Sequence, residues 1–412
     1  MQTEAKPATG WGRNGLFVLT CGAIAVGIAM GVRQGFGVFT QPVSMDLGTG
    51  REVFALAIAV QNLVFGLVQP VVGAIADRYG SGRVMIVGAL IYALGLVLAS
   101  VSADPLGLNL TLGVLVGIGL SGTTYVTVLG AVGRAVPPGR RSIAFGITTA
   151  IGSFGMFLFV PVSQGLIDWL DWRGALLALA IVASCLVATA AGVRGKASGG
   201  SPSALTAELP SLRFALAAAS RYPSYWLLNA GFFVCGFHIV FVGIHLTPYL
   251  IDNGIGFTTA GWALAVIGLA NIFGSYFFGH MGQYHSKRLL LALLYTLRAA
   301  IMVIFLVLPL TPVTALAFGV LFGFVWLATV PLTSGLVAQM FGTRYLSTLY
   351  GIVFLSHQVG GFLGGWLGGY VYDLDGNYDA VWILSIALGL LSALLHLPIR
   401  ERPAPALTGQ TA

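Results

Sequence analysis

A chain of 412 residues that is 57% hydrophobic and only 8% charged cannot present a water-facing globular surface. With a mean hydropathy of +0.91 its solvent is lipid, and its net charge of +7 reads as a topology signal and not as a nucleic-acid footprint. A soluble enzyme is excluded, and no Ser/His/Asp arrangement, clustered metal ligands or phosphate-binding loop supports catalysis in the membrane either.

Residues 1–14 are polar, and the apolar run opening at Leu16 continues to about Met45, too long for the core of a cleaved signal sequence. Crossing about 30 Å of hydrocarbon takes roughly 20 apolar residues as helix, because lipid offers the backbone no hydrogen-bond partner. Such stretches recur at 15–43, 51–76, 84–103, 107–134, 140–167, 173–194, 224–250, 259–282, 288–309, 312–337, 345–372 and 379–398. Fifty-seven glycines suit helices that associate in lipid by close backbone approach. Cys21, Cys185 and Cys235 lie in apolar runs at no metal-ligand spacing and read as packing, so no metal, cofactor or disulfide framework is expected.

If the N-terminus is cytoplasmic, Lys6, Arg13, Arg78, Arg83, Arg134, Arg140, Arg141, Arg194, Lys196, Arg213, Arg221, Lys287, Arg288, Arg344, Arg400 and Arg402 all fall on that side, and Arg51 and Arg173 fall outside. A single miscounted span would destroy that asymmetry, so the positive-inside rule supports an even count with both termini cytoplasmic. The expected organisation is an N-terminal segment 1–14, a six-helix bundle 15–194, a Ser-, Ala-, Pro- and Gly-rich linker 195–222, a second bundle 223–398 and a tail 399–412.

The two halves repeat at a shift of about 205 residues. "FGITTAIGSFGMFLFVPVSQGLID" ending at Asp168 lies over "YGIVFLSHQVGGFLGGWLGGYVYD" ending at Asp373, matching Gly146 to Gly351 and Gly155 to Gly360. Between the second and third spans stands "GAIADRYGSGRV", and between the eighth and ninth "GHMGQYHSKRL", where Gln283 replaces the aspartate. Gly73, Asp77, Arg78, Gly80 and Arg83 of the first copy resemble the loop signature of the major facilitator superfamily, with Arg83 displaced by one position. That resemblance implies an all-α membrane protein of twelve transmembrane helices in two pseudo-symmetric six-helix bundles, usually monomeric, in which this loop serves conformational switching. A solvated turn carrying topology charges is the plainer reading of the same residues.

Shorter stretches, "GVRQGFGVFTQPV" in helix 1, Tyr125 twelve residues before Pro137, "GRRSIAFG" and "GFLGGWLGG", resemble the bacterial monocarboxylate and oxalate–formate branch. The branch's helix 8 arginine is missing, Ser275 standing in its place, whereas Asn271 and Tyr125 match polar positions of the branch. No Asp or Glu lies in the middle of a span, but Arg33 and Arg298 do. An arginine at the bilayer centre costs about 2.5–3.5 kcal/mol on insertion scales, so each needs a cavity, a partner or a reason. Arg33 either binds a substrate carboxylate, with Gln34, Tyr125, Asn271 and His238 as further contacts, or snorkels to the outer interface. Arg298 reads as structural before gating. His238, His245 and His357 are the in-membrane groups that titrate near neutral pH and are candidates for proton coupling. The expectation is a secondary transporter of the cytoplasmic membrane moving a small organic anion, a monocarboxylate, with protons, by alternating access. Efflux or uptake of a larger amphipathic compound, a drug or siderophore, is the alternative.

Overall fold

The computed structural model describes residues 13–194 and 211–404, so the N-terminal segment and the larger parts of the linker and tail lie outside the described residues. Eleven helical stretches are long and apolar enough to cross a membrane. They are α1 (Asn14–Asp46), α2 (Val53–Tyr79), α3 (Ser81–Ser100), α4 (Pro105–Ala135), a stretch Pro138–Ala190, α7 (Pro223–Asp252), α8 (Phe257–Tyr284), α9 (Lys287–Val307), α10 (Pro312–Phe341), α11 (Leu346–Asp375) and α12 (Asp379–His396). Pro138–Ala190 is two spans: the backbone leaves the helical region at Asp171 (φ 61, ψ 179). Its limbs, 138–170 and 172–190, are α5 and α6. The Asp171 carboxylate accepts from Arg173 N (2.7 Å) and Gly174 N (3.0 Å), capping the second limb where the chain reverses. Twelve spans result, and they gather the arginine-rich loops at one end, the basic face, and most aspartates at the other.

The sequence repeat is also a repeat of packing. α1 lies along α5 as α7 lies along α11, and α2 meets α4 as α8 meets α10. A Cβ added at Gly155 would collide with the Gly27 backbone of α1, and one at its repeat mate Gly360 would collide with the Phe233 carbonyl of α7. Each of these glycines is therefore a point of close helix approach in its own half. The halves meet along two seams, α2 with α11 and α5 with α8.

Hydrogen bonds cross the seams between Asp77 and Ser347 and Thr348, between Gln358 and Asn62, and between Asn271 and Ser153. All lie between the basic face and the middle of the membrane. Toward the opposite face no hydrogen bond among the described residues joins the halves, so the molecule is shut at the basic face.

Two stretches beyond the spans are more ordered than the sequence implies. Leu212–Ser220, inside the stretch read as a flexible linker, is a helix; Ser211 Oγ caps it by accepting from Phe214 N (3.2 Å), and Ala215, Ala218 and Ala219 pack inward. The start of the tail is tied down by Ala404 N donating to Met340 O (2.9 Å) and by Glu401, which accepts from Ser286 Oγ (2.7 Å) and Arg288 N (2.6 Å) at the start of α9.

Candidate functional site

Two spans break in mid-membrane, one repeat apart. α4 leaves helical geometry at Thr124 (φ −109, ψ −162), and α10 is interrupted at 325–328. Backbone groups freed inside a membrane must be paired, and polar side chains at both breaks do this. In α4, Ser121 O accepts from Gln69 Nε2 (3.3 Å) and Thr127 Oγ1 (3.3 Å). In α10, Val325 O accepts from Arg298 Nε (3.0 Å) and Nη2 (2.8 Å), Trp326 O accepts from Arg298 Nη2, and Leu327 N donates to Asn271 Oδ1 (2.8 Å). Arg298 is fully buried, and its place between two carbonyls is the reason a charge sits in α9. Asn271 is also buried and uses its whole amide here, Nδ2 donating to Ser153 Oγ (2.7 Å) across the α5–α8 seam. In this conformation it is committed to the break and the seam, and Ser275 Oγ donates to the same Oδ1 (3.2 Å).

Arg33 points into the protein. Its guanidinium donates to Asn62 Oδ1 on α2, and the Tyr92 and Tyr125 phenols lie within its electrostatic reach. Tyr92 is anchored on Ala29 O (3.3 Å), whereas the Tyr125 hydroxyl is buried against Gly152 with no hydrogen-bond partner among the described residues. Tyr125 opens the second half of the broken α4, so the break itself sets its position. Tyr350 of α11, whose hydroxyl is likewise unpartnered, stands in the same neighbourhood. The two ion pairs among the described residues are Arg134–Asp77 and Arg173–Asp46, and neither includes Arg33. The site is thus one cation with a neutral partner and a free phenol donor, an arrangement suited to an incoming carboxylate. Gln34, the next residue, is exposed and does not share this cluster.

The three membrane histidines separate. His238 is fully buried in the second half, its Nε2 donating to Ser385 O (2.8 Å). His245 donates through Nε2 to Gly365 O (2.9 Å), two turns nearer the acidic face. His357 is on the same α11 turn as Gln358, with its ring between Phe232 (4.9 Å) and Phe354 (5.3 Å). Of the three, it alone adjoins a bond to the other half.

At the basic face the loop signature divides its roles. Asp77 is buried, pairs with Arg134 Nη1 (2.9 Å) and accepts from Ser347 N (3.3 Å), Thr348 N (2.7 Å) and Thr348 Oγ1 (2.8 Å). A carboxylate thus sits on the first turn of α11, where the helix leaves its own N–H groups unpaired, and bridges the halves. Gly73 lets the same helices meet, since a Cβ there would collide with Ser347 O; Gly80 (φ 99) makes the turn from α2 to α3. Arg78 is exposed, its guanidinium 5.2 Å from the Tyr79 ring, and Arg83 is exposed as well.

Sequence reasoning missed Arg134, which it counted only as a topology charge. Its repeat mate is Gln339, as the mate of Asp77 is Gln283; both members of the ion pair are neutral in the second half. There the α5–α8 seam closes on Gly146 against Gly279, and the buried Ser142 hydroxyl beside Gly282 has no partner among the described residues.

The fold has known counterparts. The sequence profile of the Major Facilitator Superfamily matches residues 22–365 and 245–412. Monocarboxylate transporter 13 of Bos taurus is 28% identical over 408 residues, covering 95% of this chain and 91% of its own. Monocarboxylate transporter 11 of Homo sapiens is 27% identical over 414 residues, covering 96% and 84%. Among solved structures, FucP in the outward conformation superposes with a TM-score of 0.70 at 16% identity, over 93% of this chain and 99% of FucP. Another FucP structure, described as the E. coli fucose:proton symporter, gives 0.67 at 18% identity over 92% and 98%. The chain, a multi-pass membrane transporter related to the monocarboxylate transporters and no enzyme, belongs to the Major Facilitator Superfamily.

Proposed function

We propose that this transporter moves a small organic anion, a monocarboxylate, across the cytoplasmic membrane in company with protons, working as a monomer with both termini in the cytoplasm. The observation that carries the reading is Arg33: a guanidinium turned into the protein at mid-membrane, bonded to a neutral amide and beside an unpartnered phenol. An arginine so placed stays charged, and a carboxylate satisfies two of its N–H donors at once. The names of the relatives at 27–28% identity point to the same substrate class.

With the basic face toward the cytoplasm, this state is closed inward, and no hydrogen bond among the described residues ties its halves together toward the outside. Alternating access then consists of breaking the Asp77, Asn271 and Gln358 bonds across the seams while new ones form toward the outer face. An arriving carboxylate displaces Asn62 from Arg33, which loosens the α1–α2 contact next to the α2–α11 seam. The test is uptake of labelled lactate, pyruvate, formate and oxalate into proteoliposomes, with and without an inward proton gradient. Gradient-stimulated uptake that Arg33→Gln abolishes, with thermal stability unchanged, is the expected result. Failure of every acid, with competition by bulky uncharged ligands, would favour a carrier of larger amphipathic compounds.

A further inference from the structure

Among the described residues, one hydrogen bond at mid-membrane connects a titratable neighbourhood of the second half to the Arg33 site of the first. Gln358 Nε2 donates to Asn62 O (3.2 Å), and Asn62 Oδ1 accepts from Arg33. The carbonyl oxygen can only accept, so the orientation of the Gln358 amide is fixed, and its Oε1 faces His357 Nδ1 (3.1 Å). Nδ1 must therefore be the protonated nitrogen, and Nε2 is left as the base of the ring. On the far side, the Cys235 thiol lies beside His357 and is hydrogen-bonded to Thr329 Oγ1 (3.1 Å), next to the break of α10. A continuous chain of hydrogen bonds runs from Arg33 through Asn62 and Gln358 to His357, and Cys235 with Thr329 stands next to its end.

We propose that His357 is the proton-binding group of the transport cycle, and that Gln358 is the positioning residue that links its proton to the anion on Arg33. This rests on the reading of Arg33 as the anion ligand. The charged and titratable groups around His357 are Arg33 beyond Asn62, Arg298 and Tyr295 of α9, Cys235 of α7, Tyr350 of α11 and Tyr125 of α4. No carboxylate is among them. A proton on His357 therefore adds a third positive charge beside Arg33 and Arg298, in a medium where such charges repel strongly. An anion on Arg33 cancels one of them. Anion and proton favour each other's binding by the same factor, which is the thermodynamic content of symport.

His238 and His245 do not meet these conditions. Each spends Nε2 on a carbonyl within the second half, and neither has a bond leading to Arg33. The link through Gln358 also crosses the α2–α11 seam, so it exists only while the molecule is shut at the basic face. Opening that face uncouples the proton from the anion at the point where both would be released.

The experiment measures the pH midpoint of labelled lactate uptake into proteoliposomes for the wild type, His357→Gln, Gln358→Met and Gln358→Glu. Lactate counterflow at fixed symmetric pH reports folding and the Arg33 site independently. Gln358→Glu, a stronger acceptor for the imidazolium, should move the midpoint to higher pH by about one unit, a tenfold gain in proton affinity. Gln358→Met, with no acceptor, should move it to lower pH by a similar amount. His357→Gln should lose the midpoint, whatever rate of counterflow it retains. A side chain that only packs the seam does not shift a titration in opposite directions with opposite acceptor strength. The proposal is overturned if the two Gln358 variants titrate as the wild type does, or if His357→Gln keeps the wild-type midpoint. If His357→Gln does not fold, the paired Gln358 shifts decide alone. Absence of acid-stimulated lactate uptake in the wild type, seen before any variant is made, would instead strike the functional reading beneath it.

Discussion

Replacing Asp77 by asparagine should unlatch the basic face. The carboxylate holds four bonds, one to Arg134 and three to the first turn of α11, all shielded from water. Asparagine keeps one acceptor oxygen for Thr348 but turns an NH2 group toward the Arg134 guanidinium, donor against donor, and leaves that charge buried without its partner. Arg134 belongs to the same half as Asp77, so that loss falls on both states; what the closed state alone gives up is the charge on the bonds to Ser347 and Thr348, about 3 kcal/mol for hydrogen bonds to a charged group. That is roughly a 150-fold change in the balance between closed and open basic face. A protein that is about 99% closed would then be closed less than half the time. Spin labels on the exposed Arg83 and His285 positions, one in each half, report this as a distance distribution. The Asp77→Asn distribution should gain a long component dominating the wild-type peak. If the two distributions overlay, the Asp77 carboxylate does not hold the face shut.

Arg298→Met should lower the thermal stability of the purified protein by about 2–4 kcal/mol, because the Val325 and Trp326 carbonyls lose their donors inside the membrane. Thermal unfolding in detergent measures it, and an unchanged midpoint would mean that the α10 break is satisfied by other means. Gly155→Val and Gly360→Val should each reduce folded yield sharply, since overpacking at a backbone-to-backbone contact costs about 1–3 kcal/mol or more. Gly165→Val, where a Cβ meets nothing within 4 Å, is the control expected to behave as wild type in size-exclusion yield.

The spans were legible because length and apolarity decide what can cross a membrane, and the repeat was legible because close helix approach keeps glycine at equivalent positions, as at Gly155 and Gly360. The Asp77 loop was legible as a motif. Its partner was not: Arg134 lies 57 residues away on another helix, and nothing local to either residue marks the pairing. The breaks in α4 and α10 escaped for a different reason. One non-helical peptide scarcely changes the hydropathy of a window, and the residues that satisfy the breaks, Gln69, Asn271 and Arg298, read in sequence as stray polar groups. Asn271 therefore looked like a ligand contact when its amide was needed by the backbone. Leu212–Ser220 was hidden by its composition, since a run of alanine and serine after Pro210 suits a linker and a short capped helix equally.

The two seams are closed by different forces, and this sets the order in which they part. Along α5 and α8 the closure is glycine against glycine, with one hydrogen bond at Asn271, and such contact attraction vanishes once the surfaces separate by a fraction of an ångström. Along α2 and α11 the closure includes the Asp77 carboxylate facing the unpaired N–H groups that open α11, and this attraction falls off more slowly with separation than contact attraction does. The halves consequently part like a book whose spine is the Asp77 edge: the glycine edge opens first and shuts last, and the charged edge guides the pages back into register.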